Sequence, residues 1–127
     1  MESKHFKNNE LTCHCGCGQN LMDEKFLGLL EDLRLWFGKP INLSSGYRCP
    51  SHNMSVSNSG SMGPHTTGKA VDMLVCGNDA RCLLKGILAI NFTGIGVSQK
   101  GPHEKRFIHV DILMDQENPP RPWIWSY

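Results

Sequence analysis

Apolar residues recur at helical spacing in the first third of the chain. Between positions 22 and 37 they fall three or four places apart, and charged residues occupy the positions between them. This spacing predicts a helix from Met22 to Phe37 with one buried face, capped by Asn20 and ended by Gly38. A second helix is predicted over about Asp79 to Ile90, with Asn78 as its cap.

Two later stretches alternate instead, which is typical of strands with one buried face. In 69–75, one face carries Val71, Met73 and Val75, and the other carries Ala70, Asp72 and Leu74. In 106–113, an apolar face opposes a face formed by Phe107, His109 and Asp111. We expect the apolar backs to pack on the helices, which leaves polar groups on the front. Shorter strands are predicted over 41–48 and 94–99.

The remaining segments are irregular in pattern. Residues 1–20 read as a Cys- and Gly-rich arm, and 51–64 as a mobile loop rich in Ser, Asn and Gly. Trp123, Trp125 and Tyr127 are expected to cover the core, with a groove-lining role for one tryptophan as the alternative. The whole pattern predicts one α+β domain over 1–127, a small and mostly antiparallel sheet of about four strands backed by helices.

Composition excludes several classes of protein. The chain has 127 residues, a formal net charge of +1, 39% hydrophobic and 20% charged residues, which is ordinary for a globular domain. It has no basic stripe, so we expect no nucleic-acid partner, and no apolar run long enough to form a transmembrane segment. Its first residues lack the apolar stretch of a signal peptide, so we expect synthesis in the cytoplasm. We expect a monomer.

Two front-facing residues and one loop residue have the chemistry of a metal site. If the two alternating strands are neighbours, Asp72 and His109 come within reach of one ion, and His65 can fold over from the preceding loop. Two imidazoles and one carboxylate, with a fourth position open, are the usual ligand set of catalytic zinc. The sequence therefore predicts a Zn²⁺ site formed by His65, Asp72 and His109.

The same residues carry a family resemblance. "HTTGKAVD" matches the H-x-x-G-x-A-x-D signature of the M15 zinc peptidases, the D-alanyl-D-alanine carboxypeptidase group. "CHCGCG", "GKPINLSSGYRCPSHN", "GIGV" and "FIHVDIL" follow the order found in short members encoded by bacteriophages and bacteria, so the resemblance covers roughly residues 11 to 125. It implies the small antiparallel sheet with helices that these peptidases share with the hedgehog signalling domain.

The resemblance also implies a function. Zinc would be held by His65, Asp72 and His109, and Arg48 of "SGYR" would hold the substrate and stabilise the developing oxyanion. Members cleave peptide bonds in peptidoglycan stem peptides as carboxypeptidases, endopeptidases or phage lysins. A protein of this kind would reach the cell wall after lysis or inside a virion.

The chain departs from the family pattern at two places. Gly63 stands where the family usually has a serine two residues before the first histidine, so Ser61 becomes the nearest candidate for that substrate contact. Arg106 and Phe107 stand where many members have an acid or a histidine before the last ligand. Asp111 is then the first candidate for the general base, or alternatively a partner that orients an imidazole, and Glu104 is the second candidate.

Two questions stay open at this level. The missing acid before His109 allows a non-catalytic binding module of the same fold as the alternative to a peptidase. The six cysteines could form disulfides, or Cys13, Cys15, Cys17 and Cys49 could bind a second metal, or all could be free thiols. A nucleic-acid-binding zinc ribbon is disfavoured, because "CHCGCG" is too tightly spaced and the net charge is near neutral.

Overall fold

The strands of the protein form one mixed sheet. They are β1 (Asn42–Ser45), β2 (Ala70–Leu74), β3 (Gly94–Ser98), β4 (Phe107–Asp111) and β5 (Trp123–Ser126). Their order across the sheet is β1-β2-β4-β3-β5, and neighbours run antiparallel except for the parallel pair β3 and β5. The computed structural model describes residues 1–114 and 116–127. The predicted α+β class is confirmed.

Helices make up most of the remaining regular structure. They are α1 (Asn8–Leu11), α2 (Glu24–Phe37), α3 (Pro50–Val56) and α4 (Gly77–Ala89), with short 3-10 helices at Gly60–Met62, Pro64–Thr67 and His103–Lys105. The core joins the apolar faces of α2 and α4 to the apolar backs of the strands, including Val71, Met73, Ile108 and Val110. In the part of the chain described here, none of the helices combines the length and apolarity needed to cross a membrane.

The first long helix begins two residues later than predicted. Asp23, not Asn20, is its N-cap, because the Asp23 carboxylate accepts the N–H of Phe26 at 2.9 Å. Asn20 instead donates to the carbonyl of Met1 and to Asn8, and so ties down the start of the chain. The second predicted helix begins at Gly77, with Cys76 rather than Asn78 in the cap position.

The prediction of a loop over 51–64 was wrong for its first part. Pro50 occupies the first turn of α3, where its fixed φ is compatible with a helix, and the thiol of Cys49 accepts the N–H of His52. Asn53 is fully buried in this helix, and its side chain donates to Ser59 and to the carbonyl of Gly60. The polar composition therefore reflects a hydrogen-bonded helix and two 3-10 turns.

The C-terminal aromatic segment forms a fifth strand that the sequence did not predict. Residues 123–126 pair with β3 in the register Ile95 opposite Ile124 and Gly96 opposite Trp125. Trp123 and Tyr127 are about half exposed, at 52% and 51%. The expectation that these aromatic residues cover the core was therefore wrong for Trp123 and Tyr127. Of the seven prolines of the chain, three directly precede this strand, at 119, 120 and 122, whereas Pro102 lies well before it. Because prolines usually mark a loop, these three made the strand hard to recognise from the sequence.

A single row of residues crosses the whole sheet on its front face. Ser45 lies opposite Asp72, Asp72 opposite His109, His109 opposite Gly96, and Gly96 opposite Trp125. Because side chains alternate along a strand, residues in register share a face. The row brings together groups separated by up to 80 positions in the chain.

Gly68 ends the 3-10 helix that carries His65 and allows a close contact with the arm. Its φ is +74°, and a Cβ there would overlap the carbonyl of Leu21. Gly38 at the end of α2 has the same φ of +74°, but a Cβ there would meet open space. Substituting Gly38 therefore reports backbone strain alone, whereas substituting Gly68 reports strain together with steric overlap.

We predict that Gly38→Ala lowers the free energy of unfolding by about 1 kcal/mol, the usual cost of a left-handed alanine. Gly68→Ala should cost at least about twice as much, since the overlap with Leu21 adds to the same backbone strain. Urea denaturation of both variants beside the wild type measures the difference. Equal losses would show that the backbone of Leu21 yields without cost.

Candidate metal centre

Three buried side chains on the front of the sheet point their donor atoms at one place. The Nε2 atom of His65 lies 3.2 Å from Oδ1 of Asp72, and Nδ1 of His109 lies 3.0 Å from the same oxygen. All three donor atoms lie within 4.8 Å of one another. His65, Asp72 and His109, the residues predicted from sequence as a ligand set, are therefore brought together.

The three residues of this triad are positioned in two ways. Asp72 and His109 face each other because β2 and β4 pair in that register. His65 comes from the 3-10 helix Pro64–Thr67, and its Nδ1 lies 2.8 Å from the carbonyl oxygen of Gly46. A carbonyl can only accept, so Nδ1 of His65 carries a proton, and Nε2 is the nitrogen directed at the centre.

The donor set fits a divalent transition-metal ion. Bonds of about 2.0–2.1 Å from nitrogen or oxygen to zinc separate tetrahedral donors by about 3.3–3.4 Å. The two measured donor separations, 3.2 and 3.0 Å, are slightly shorter than this, so an ion needs only a small outward movement of the side chains. Three protein donors leave one tetrahedral position open towards the cavity.

A buried carboxylate holds the far side of the His109 ring. Oδ2 of Asp111 lies 2.8 Å from Nε2 of His109, and both carboxylate oxygens of Asp111 accept from the guanidinium of Arg121, at 2.9 and 2.8 Å. Asp111 is completely buried. An ionised Asp111 makes Nε2 of His109 the protonated nitrogen, which frees Nδ1 for a metal.

Two glycines of β3 make room for these groups. A Cβ on Gly94 would overlap the carboxylate of Asp111, and a Cβ on Gly96 would lie 2.6 Å from the indole nitrogen of Trp125. The sequence "GIGV" thus places its one large side chain, Ile95, in the core and leaves the front of β3 open. The indole of Trp125 fills that space 5.3 Å from the His109 ring.

The charges of the centre are strongly coupled. Burial lowers the pKa of His109, but its hydrogen bonds to Asp111 and Asp72 outweigh burial and raise that pKa to about 9. Burial raises the pKa of Asp111, but His109 and Arg121 outweigh it and lower the pKa to about 2. Burial likewise raises the pKa of Asp72, yet His65 and His109 hold that pKa below its usual range. Both carboxylates are therefore ionised at neutral pH.

Arg48 adjoins the triad and is held in place by three residues. Its guanidinium donates to Ser45 at 3.0 Å, to Asn53 at 3.1 Å and to Asp72 at 3.4 Å. Its side chain is 17% exposed, so one side still faces solvent. A fixed guanidinium beside a metal site is suited to bind a carboxylate or an oxyanion.

An open cavity of about 540 Å³ lies over the triad. Phe107, Trp125 and Tyr127 are the aromatic residues that line this cavity, and Ser57 and Ser59 are among its polar lining residues. Ser61, the predicted substrate contact, is half-buried on the adjacent 3-10 helix and is not among the described residues that line the cavity. The serines that sequence reasoning missed are thus Ser57 and Ser59.

The two candidates for the general base lie in different surroundings. Glu104 is exposed on the 3-10 helix His103–Lys105 and, within the described parts of the chain, does not line the cavity. Asp111 reaches His109, but both of its oxygens are occupied by His109 and Arg121. The geometry of Asp111 therefore matches the second role considered for it, orienting an imidazole.

Arg121 was missed by sequence reasoning, and so was the way Asn53 fixes Arg48. Arg121 stands in "PPRPW", where no periodicity marks an inward-pointing residue, although its side chain is only 1% exposed. A lone cation among prolines beside an aromatic strand is a weak signal. Asn53 lies within a run of small polar residues, and nothing in the sequence signals its role.

Comparison with known proteins identifies the family. A family model described as Peptidase M15 matches residues 4–111. The matched range includes the whole triad, Arg48 and Asp111, and ends before Arg121 and β5. No curated protein matches the chain.

Protonation of His109 should stabilise the metal-free protein at low pH. Its pKa of about 9 in the folded state exceeds the value of about 6.5 expected for an unfolded histidine, so the folded state binds the proton more tightly. This contribution is complete below about pH 6.5 and is lost as the pH rises through about 9. Protonation of His109 thus contributes about 3 kcal/mol in all to the free energy of unfolding.

Urea denaturation of the metal-free, reduced protein at about pH 6 and about pH 10 measures this loss. His109→Gln should remove it, so the difference between wild type and variant isolates His109 from other titrating groups. A wild type whose stability changes no more than that of His109→Gln over this range would contradict the assignment.

Proposed function

Since the chain belongs to the M15 peptidase family, we propose that it is a zinc-dependent peptidase acting on the stem peptides of bacterial peptidoglycan. The observation that carries this proposal is the convergence of His65, Asp72 and His109 on one point at the floor of an open cavity. The cut bond is either a terminal D-alanine linkage or an internal bond of the stem peptide. The protein would act at the cell wall after synthesis in the cytoplasm.

The triad is assigned as the zinc ligand set. Two imidazole nitrogens and one carboxylate oxygen suit zinc better than calcium or magnesium, which prefer oxygen ligands alone. When bound, zinc supplies Lewis-acid activation of water and of the scissile carbonyl. The protein contributes a fixed geometry, since Gly46 and Asp111 hold the outward nitrogens of the two imidazoles.

Arg48 is assigned to the substrate. Its contacts with Ser45 and Asn53 fix the guanidinium before any ligand arrives, so binding costs little side-chain entropy. From this position it can donate hydrogen bonds to the terminal carboxylate of a peptide or stabilise negative charge on the carbonyl oxygen under attack. The two uses correspond to the carboxypeptidase and endopeptidase forms of the proposal.

The aromatic residues that line the cavity offer apolar contacts to a peptide. Phe107 packs on Tyr127 with ring centroids 5.1 Å apart, and Trp125 is flanked by the Arg121 guanidinium at 4.9 Å. These rings line the same cavity as Ser57 and Ser59. A peptide bound there can contact the rings with its apolar groups and the serines with its polar backbone.

A second candidate function is a non-catalytic binding module of the same fold. The observation favouring it is that, of the acidic side chains in the described parts of the chain, Asp72 alone lines the cavity. Such a module would hold peptidoglycan without cleaving it. The digestion experiment below distinguishes the two candidates.

Digestion of purified peptidoglycan by the zinc-loaded protein tests the proposal. We expect new free amines and a defined mass change in the released muropeptides, which identifies the bond. His65→Ala and His109→Ala should reduce release to background while the apolar core keeps them folded. The exposed His103→Ala, on a 3-10 helix away from the cavity, is the matched control and should retain full activity.

Absence of new amines at every zinc loading, together with retention of the protein on peptidoglycan, would support the binding module instead. Equal activity of His109→Ala and His103→Ala would refute the ligand assignment. Far-UV circular dichroism of each variant ensures that lost activity is not lost folding.

Asp111→Asn distinguishes an orienting residue from a general base. If Asp111 orients His109, the variant should bind zinc about 10- to 100-fold more weakly, and excess zinc should restore turnover. If Asp111 were the base, zinc affinity would be unchanged and kcat would stay low at saturating zinc. Competition with a chromophoric chelator gives the affinity, and the digestion assay gives the turnover.

A further inference from the structure

Four cysteine thiols meet at the junction of the N-terminal arm and α3. The sulfur atoms of Cys13, Cys15, Cys17 and Cys49 all lie within 4.8 Å of one another. Cys15 is central, with its sulfur 3.5 Å from that of Cys13 and 3.6 Å from that of Cys49. This cluster is separate from the His and Asp triad and shares no residue with it.

The sulfur separations fit metal ligands and not disulfides. A disulfide bond is about 2.05 Å long, and all six cysteines are free thiols. Four sulfurs at about 2.3 Å from a central zinc ion are about 3.8 Å apart along each edge of the tetrahedron. The two measured separations lie close to that edge length, so an ion could enter with little movement.

The backbone around the cluster is arranged to support thiolates. The N–H of Cys49 donates to the sulfur of Cys13 at 3.3 Å, and the N–H of His52 donates to the sulfur of Cys49 at 3.4 Å. The N–H of Gln19 donates to the sulfur of Cys17, also at 3.4 Å. Backbone N–H groups directed at sulfur stabilise its negative charge, as outer-shell partners do in metal sites.

Two glycines explain how three cysteines at every second position can face one point. Gly16 and Gly18 have φ of +91° and +76°, which residues with a Cβ rarely adopt. The left-handed turns fold "CHCGCG" back on itself, so Cys13, Cys15 and Cys17 lie on one side of the turn instead of along an extended strand. The tight spacing of these cysteines is thus compatible with one shared ion.

We propose that Cys13, Cys15, Cys17 and Cys49 bind a second zinc ion in a closed, structural site. Four sulfur ligands fill the tetrahedral shell, so no position is left for water or substrate. The two sites therefore differ in their ligands. The structural ion is bound by sulfur, and the ion of the candidate active site by nitrogen and oxygen. The structural ion joins the arm to the rest of the protein.

This ion would fix the segment 46–49, which serves the triad directly. The N–H of Tyr47 donates to the carbonyl of Leu11 in the arm at 2.9 Å, and a Cβ on Gly46 would lie 2.8 Å from the backbone of Leu11. The same segment carries the Gly46 carbonyl that orients His65, and Arg48 itself. Binding at the cysteines therefore positions two elements of the candidate active site.

Zinc stoichiometry tests the site. The protein purified in zinc should contain two ions per chain, and Cys15→Ser combined with Cys17→Ser should contain one, because both side chains are exposed and serine replaces them without disturbing the core. His65→Ala combined with His109→Ala should also contain one, and the four changes together none. Cys76→Ser with Cys82→Ser is the matched control and should keep both ions.

Cobalt substitution gives a readout that does not depend on the folding of the cysteine variant. With the cysteines intact, Co²⁺-loaded His65→Ala/His109→Ala protein should show intense sulfur-to-cobalt charge-transfer absorption, which nitrogen and oxygen ligands do not produce. A single ion per wild-type chain that the Cys15→Ser/Cys17→Ser variant retains, or a cobalt spectrum without that absorption, would overturn the proposal. Either result leaves the peptidase proposal intact, since that rests on the triad.

Hydrogen exchange tests the positioning role. In the zinc-loaded Cys15→Ser/Cys17→Ser variant, exchange of the amides of Tyr47 and Arg48 should accelerate about tenfold or more, as expected for local opening. The amide of Met73 in the central strand β2 should be unchanged. Equal acceleration at all three amides would show general destabilisation and would overturn the local role.

Discussion

The antiparallel register of β2 and β4 is the constraint on which both the core and the candidate site depend. With Asp72 opposite His109 on the front, Val71 lies opposite Val110 and Met73 opposite Ile108 on the back. Packing of these apolar pairs against the helices therefore determines the distance between two metal-ligand candidates. A change of register by one residue would bury Asp72 in the core and expose valine to the cavity. The register that gives a stable core is therefore the same one that gives the candidate site its geometry.

Much of this arrangement could be predicted from the sequence, because alternation identifies the faces of a strand. It assigned Asp72, His109 and Asp111 to one side, and the structure keeps them there. Alternation does not identify which strands are neighbours, so the meeting of β2 with β4 required a hypothesis. His65 belongs to no periodic element, so its inclusion rested on its position just before β2 and on the family resemblance. Long-range pairing is set by the packing of the whole chain, and local pattern does not encode it.

Other parts of the site could not be predicted, for reasons specific to each residue. Arg121 is buried only because Asp111 needs a cation, and a carboxylate beside a histidine can equally be a base. The fifth strand follows prolines, which usually mark a loop. It nevertheless pairs with β3 at the edge of the sheet, where prolines ahead of the strand remove no hydrogen bond from the ladder. The short helix α3 has few good helix formers and depends on its caps and on the buried Asn53.

The pair formed by Asp111 and Arg121 also imposes an order of assembly. A chain leaves the ribosome from its N-terminus, so all three triad residues emerge before Arg121 does. Until then Asp111 lacks the guanidinium that occupies both of its oxygens, and burying that carboxylate beside His109 alone is unfavourable. Arg121 can occupy the Asp111 oxygens only after the segment that follows β4 has been made. Completion of the centre is thereby tied to a late stage of synthesis, so an unfinished chain carries the ligands without the geometry that makes them effective.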